Sequence, residues 1–113
     1  MHELSLIGSV LGILEQQAAA EHFKRVTKVC LGVGALSNVE IQSLRFCFAA
    51  ARKGSLAGDA ELSILTIPGE GWCEHCKRTV HIGQRFDSCP FCGAWGLSVT
   101  DGDKIIVMEL EVE

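Results

Sequence analysis

A two-layer α+β fold is predicted by three observations. Two segments place apolar residues at helical spacing, three shorter segments carry strand-type patterns, and a stretch with two C-x₂-C pairs interrupts the order before the last strand. Together they predict a small three-stranded sheet with two helices on one face, plus an inserted zinc-ribbon-like domain. With 113 residues and 48% hydrophobic content, the chain can bury one ordinary core and carry one small stapled insert.

From Glu3 to about His22, Leu4, Ile7, Leu11, Leu14 and Ala18 form one apolar stripe, which predicts a helix. Gly8 and Gly12 lie one turn apart; they lower helix propensity and allow close packing against a neighbour. Arg25 to Gly34 is rich in β-branched residues. There Val29, Leu31 and Val33 alternate with Lys28, Cys30 and Gly32, which predicts the first strand. Ser37 and Glu40 have capping-box spacing ahead of a second helix carrying Ile41, Leu44, Phe48 and Ala51 and ending near Gly54. Asp59 to Pro68 reads as the second strand. From Gly69 to about Gly96, cysteine, glycine, tryptophan and proline replace the periodic pattern. After a turn signal at Thr100 to Asp103, Ile106, Met108, Leu110 and Val112 form one face of a third strand, with Glu109 and Glu111 on the other. That strand must return to the sheet, since alone its apolar face would be wet. Residues 1–68 and 99–113 are therefore expected to form one domain, and 69–98 the insert.

Formal charge is −4, from 10 basic and 14 acidic residues, which argues against a nucleic-acid partner. No run of 18 apolar residues and no signal-peptide pattern occurs, so a soluble cytoplasmic protein without a membrane partner is expected. In a reducing compartment the six cysteines read as metal ligands rather than disulfides.

Four of them cluster. Cys73 and Cys76 form one pair, Cys89 and Cys92 the second, with twelve residues between. Two such turns complete a closed tetrahedral thiolate shell with sulfurs about 2.3 Å from a structural Zn(II). Metal binding also supplies stability that a segment with few large apolar side chains lacks. A mononuclear iron site of the rubredoxin type uses the same paired turns. His75 and His81 read as exposed loop histidines or as spare ligands. Four ionised thiolates and one dication take the formal charge from −4 to −6. A closed site does no chemistry, and no nucleophile–base pair or phosphate loop accompanies it, so no enzyme is expected.

The chain opens MHELSL. If Met1 is a true start, its α-amine, the backbone nitrogen of residue 2 and the Nδ1 of His2 can close adjacent chelate rings. Nitrogen-rich, near-planar donor sets suit Ni(II) and Cu(II), and Glu3 adds a carboxylate. The same residues also suit a plain helix start, with Glu3 complementing the helix dipole and His2 solvated. Glu40 has two readings as well, the reciprocal member of the Ser37 capping box or a carboxylate beside a metal. On the residues alone, a zinc-ribbon interaction module without a nickel role is the alternative function.

MHELSL, VGALSNVE, and WCEHC followed by CPFCG resemble the hydrogenase nickel-incorporation family, HypA and its paralogue HybF, over essentially the whole chain. The most specific marks are the Met-His-Glu start, the Gly-x-x-Ser turn from Gly34 to Ser37 with an acidic residue at 40, and the paired C-x₂-C motifs. The resemblance implies a nickel metallochaperone, with Met1, His2, Glu3 and Glu40 at a transient Ni(II) and Cys73, Cys76, Cys89 and Cys92 on a structural Zn(II). It implies partners too: a HypB-type GTPase, the [NiFe]-hydrogenase large-subunit precursor and, for some members, urease maturation proteins. One departure is visible. Some members carry histidines just after each cysteine pair, where this chain has Arg78 and Gly93, which argues against a histidine-based pH response of the zinc site.

Overall fold

The computed structural model describes residues 3–113. The elements are α1 (Glu3–Glu21), β1 (Val26–Gly34), α2 (Ile41–Ala51), β2 (Glu61–Ile67), β3 (Gly69–Cys73), β4 (Arg78–Ile82), β5 (Ser98–Asp101) and β6 (Ile105–Val112). The architecture is α+β, as the sequence pattern predicts. The strands form two three-stranded sheets, ordered β2-β1-β6 and β4-β3-β5. The chain divides into two compact units. One comprises Met1–Leu31, Val39–Ser63 and Val107–Glu113, the other Gly32–Asn38 and Ile64–Ile106.

In the first unit α1 packs against α2. The apolar stripe of α1 is narrower than expected: Ile7, Val10 and Leu14 are buried, while Leu4 is 59% exposed. A side chain at Gly8 or Gly12 would meet nothing within 4 Å among the described residues, so the glycine pair does not serve close packing. From α2, Leu44 and Phe48 are buried, and β1 adds Val26, Val29 and Leu31.

The last strand does return to the sheet. Arg25 and Glu113 exchange N–H···O bonds of 3.3 and 2.9 Å, and the Gly34 N–H donates to the Lys104 carbonyl at 2.8 Å. This antiparallel register sets Leu31 opposite Val107 and Val33 opposite Ile105, and cross-strand partners share a face. Neither face of β6 is fully buried. Ile106, Met108 and Val112 remain 49%, 43% and 44% exposed, while Ile105 and Val107, opposite the buried Val33 and Leu31, are half-buried.

The second unit corrects the reading of residues 69–96 as lacking periodic elements. β3 and β4 form an antiparallel hairpin from Gly69↔Ile82 to Cys73↔Arg78, and β5 pairs with the other edge of β3 through a bulge at Glu70/Gly71. The inward positions of β3 are Gly69, Gly71 and Cys73, which carry no apolar signature. Space explains the choice. A Cβ at Gly69 would stand 2.5 Å from the Ile82 carbonyl oxygen and 2.7 Å from the Leu36 side chain. The core is small: Leu36, Cys73, Val80, Ile82 and Cys89, flanked by Cys76, Ala94, Leu97 and Val99.

Gly34 and Gly102 mark where backbone meets backbone. The Leu36 N–H donates to the Gly102 carbonyl at 2.7 Å. A Cβ at Gly34 would lie 2.2 Å from that same oxygen. One at Gly102, where φ is +79°, would lie 2.4 Å from the Pro68 carbonyl oxygen.

Candidate metal centres

Cys73 is the last residue of β3, and the chain turns through Glu74, His75 and Cys76 before β4 begins at Arg78. Lys77 takes the left-handed conformation, φ 53°, to complete this turn. The second pair stands in an irregular loop closed by two backbone bonds. The Cys89 N–H donates to the Ala94 carbonyl at 2.9 Å, and the Gly93 N–H to the Cys89 carbonyl at 2.8 Å. Each loop also aims a backbone N–H at a sulfur: Cys76 donates to Cys73 Sγ and Phe91 to Cys89 Sγ, both at 3.4 Å. Arg78 lies over the Phe91 ring with 3.9 Å to its centroid, a cation–π contact that joins the hairpin to the second loop.

The four Sγ atoms all lie within 4.8 Å of one another. Two of the separations, Cys73–Cys92 and Cys76–Cys89, are 3.7 and 3.9 Å. A tetrahedron with Zn–S bonds of roughly 2.3 Å has edges of about 3.8 Å. The donor set therefore fits a structural Zn(II) with no position left for substrate or water. His75 and His81 take no part in this group. Among the described residues no other set of three potential ligands converges, and none of the cysteines is in a disulfide.

The thiols are unequal before metal arrives. Burial raises the Cys89 thiol, but the N–H groups of Cys92 and Phe91 outweigh it and bring the group down to about 7. Hydrogen bonding with the Cys92 thiol, then burial, pushes Cys76 up to about 12. One sulfur is thus ready as an anion near neutral pH, whereas a dication must displace the proton held at Cys76. On the outside of the first turn, Glu74 accepts from Lys77 Nζ at 2.7 Å and from Trp72 Nε1 at 2.9 Å, in that order the causes that hold its carboxyl below the usual range.

Met1 and His2 lie outside the described residues. Glu3, in the first turn of α1, and Glu40, immediately before α2, line one groove of about 440 Å³ together with Leu4, Gln42, Ser43, Phe46 and Cys47. Glu40 is not the reciprocal member of a Ser37 box. It is itself the N-cap of α2, with Oε1 accepting from the Gln42 N–H at 3.2 Å and Oε2 from the Ser43 N–H at 2.6 Å. Ser37 Oγ instead donates to the Gly34 carbonyl at 2.7 Å and closes the Gly34–Ser37 turn. The Ser43 and Gln42 amides hold the Glu40 carboxyl below the ordinary carboxylate range, so it stays anionic at any physiological pH.

Sequence reasoning missed Phe46 and Cys47 as groove residues. Their signal was present: Glu40, Ser43 and Cys47 recur at helical spacing on one side of α2.

No helix among the described residues is long and apolar enough to cross a membrane. The chain matches the family described as hydrogenase/urease nickel incorporation, metallochaperone, hypA, over residues 1–112. It is similar to hydrogenase maturation factor HypA of Azotobacter chroococcum mcd 1, with 51% identity over 113 residues and full coverage of both chains. The namesake from Azotobacter vinelandii is 48% identical over the same span. In fold it is similar to the solution structure of the Ni metallochaperone HypA from Helicobacter pylori. That match has a TM-score of 0.79 at 24% identity and covers 99% of this chain and 97% of that one. Cys₄ cluster, α+β fold and full-length similarity agree: this chain belongs to the HypA family of nickel-incorporation metallochaperones and is a maturation factor, not an enzyme.

Proposed function

We propose that the chain binds Ni(II) through the α-amine of Met1, His2 and Glu3, with Glu40 as an additional carboxylate, and releases it for [NiFe]-hydrogenase maturation in the cytoplasm. The observation that supports this reading is the groove that Glu3 and Glu40 share, one residue beyond His2 in sequence. A HypB-type GTPase and the hydrogenase large-subunit precursor are the partners that fit this role, with urease maturation proteins as a further destination. In this reading 1–68 and 99–113 carry nickel, and 69–98 is the inserted domain held by zinc on Cys73, Cys76, Cys89 and Cys92.

Thermodynamics favours such a site for a carrier. Each tenfold gain in affinity adds about 1.4 kcal/mol to the cost of handing the ion on. Nitrogen and carboxylate donors at an open groove bind without enclosing. Copper would bind the same donors more tightly than nickel, so metal availability must contribute to selectivity.

The test is nickel titration of the chain with its own Met1 α-amine free. His2→Ala and, separately, an extension ahead of Met1 should each abolish nickel binding while zinc content and helical circular dichroism stay unchanged. Nickel affinity that survives both changes would overturn the N-terminal site.

A further inference from the structure

The loop Gly83–Asp87 is held in shape by the Asp87 side chain and by one backbone bond. The Asp87 carboxylate accepts the Gly83 and Gln84 N–H groups through one oxygen, at 3.0 Å each, and the Asp87 N–H returns to the Gln84 carbonyl at 3.1 Å. The residues between, Arg85 and Phe86, are carried outward, and Phe86 is 88% exposed. A second aromatic, Trp95, stands 77% exposed. It follows the Ala94 carbonyl that accepts the Cys89 N–H and precedes Gly96, whose φ is +81°. Phe86 and Trp95 line one groove of about 350 Å³ with Arg85, Asp87, Leu97 and Val99.

Neither aromatic contributes to the core of its unit, so hydrophobic burial within the unit does not account for them. Large exposed apolar surface of this kind marks an interaction site. Trp and Arg are the residue types that dominate binding hot spots, and a loop fixed before binding avoids the cost of ordering it. The charge at the rim selects the partner. Asp87 Oδ2 is turned back onto the loop amides, and Arg85 has no acidic partner among the described residues. An isolated guanidinium beside two aromatic faces complements a single carboxylate at short range.

We propose that the Phe86–Trp95 groove docks an acidic segment of another protein, with an aromatic or large aliphatic residue seated between the rings and a neighbouring carboxylate on Arg85. This site is independent of nickel, so the apo and nickel-treated chains should bind alike, and loss of nickel binding in His2→Ala should leave it intact.

A random 12-residue peptide display library panned against the zinc-loaded full chain supplies the probe. Enrichment of peptides that pair an aromatic or large aliphatic residue with nearby Asp or Glu is expected. A synthetic peptide carrying the enriched motif should lose roughly tenfold or more in affinity with Phe86→Ala and with Trp95→Ala. Arg85→Glu should weaken the acidic peptide and improve binding of a version with Lys in place of its acids. All three side chains point out of the core, so unchanged zinc content separates lost docking from lost folding. Enriched peptides without acidic residues, or affinities indifferent to these substitutions, would overturn the proposal. So would phosphatidylglycerol vesicles that bind the chain and lose it with the same variants, which would assign the groove to an anionic membrane instead.

Discussion

Gly102→Ala tests how much of the second unit hangs on a single close approach. Two separate penalties apply. At φ +79° an alanine pays the left-handed strain, about 1–2 kcal/mol. Its Cβ would also stand 2.4 Å from the Pro68 carbonyl oxygen and 2.7 Å from the Gly69 Cα. Both are backbone atoms, and relief requires moving a strand, at about 1–3 kcal/mol. The sum, about 2–5 kcal/mol, is a large share of the 5–15 kcal/mol typical of a domain. Gly96→Ala is the control within the same unit: φ is +81°, but nothing lies within 4 Å of an added Cβ, so only the first penalty applies. Both tryptophans, Trp72 and Trp95, belong to this unit, so their fluorescence in urea reports on it directly. With a urea slope of about 1.5 kcal/mol per molar, the midpoint should fall by roughly 1.3–3.3 M for Gly102→Ala and roughly 0.7–1.3 M for Gly96→Ala. Zinc content must be matched between samples, because bound metal adds its own stability. A Gly102→Ala midpoint no lower than that of Gly96→Ala would refute the steric part of the reasoning.

Two further outcomes follow from the metal centres. Glu40→Ser keeps a capping oxygen for the α2 amides but removes the carboxylate, whereas Glu40→Ala removes both. Thermal melts should show only the Ala variant destabilised, and nickel titration should show both weakened by about tenfold, the lower end for lost supporting ligands; nickel affinity retained in Glu40→Ser would make the residue a cap and nothing more. The cap depends on an ionised Glu40, so its stabilisation is present above the ordinary carboxylate range and is lost as pH falls through the lowered value. At the cysteines, the loop amides that bring Cys89 down to about 7 leave it largely protonated at pH 6 and largely ionised at pH 8, so zinc binding should release more protons per ion at pH 6 than at pH 8. Calorimetry in buffers of different ionisation enthalpy measures this, and equal release at the two pH values would contradict an anionic Cys89.

Legibility followed the physics of each signal. Helix α1, strand β1 and helix α2 were readable because their apolar residues repeat at fixed periods, and the convergence of the four cysteines because their spacing is itself the geometry. Three features were hidden. β3 presents Gly69, Gly71 and Cys73 to its core, where backbone proximity rather than hydrophobicity sets the residue type, so no alternation could announce it. The apolar run Ile106, Met108, Leu110 and Val112 announced a buried face, but Ile106, Met108 and Val112 stay exposed and Leu110 only half-buried, since alternation shows which residues share a side but not how well that side is covered. The capping spacing of Ser37 and Glu40 was real but belonged to a helix beginning one turn later than a Ser37 cap would require.

The cysteine cluster and the proposed nickel site solve opposite problems with different ligand chemistry. Cys73, Cys76 and Cys89 supply three of the nine residues that build the small core, and Cys92 completes the sulfur cluster from its exposed side, so removing the ion removes the reason for those side chains to converge. Protein and metal there are one folding unit, and exchange is correspondingly costly. Glu40 sits in a different balance. Both of its oxygens already serve α2, and each retains a lone pair facing away from the amide it accepts, so the residue is positioned and ionised before any metal comes. Its arrangement costs nothing to restore once an ion leaves, because the helix amides hold the carboxylate in place in either state. For the proposed nickel site, that is the property a carrier needs: a donor whose geometry is maintained by the fold rather than by the cargo, so that release leaves the site ready to load again.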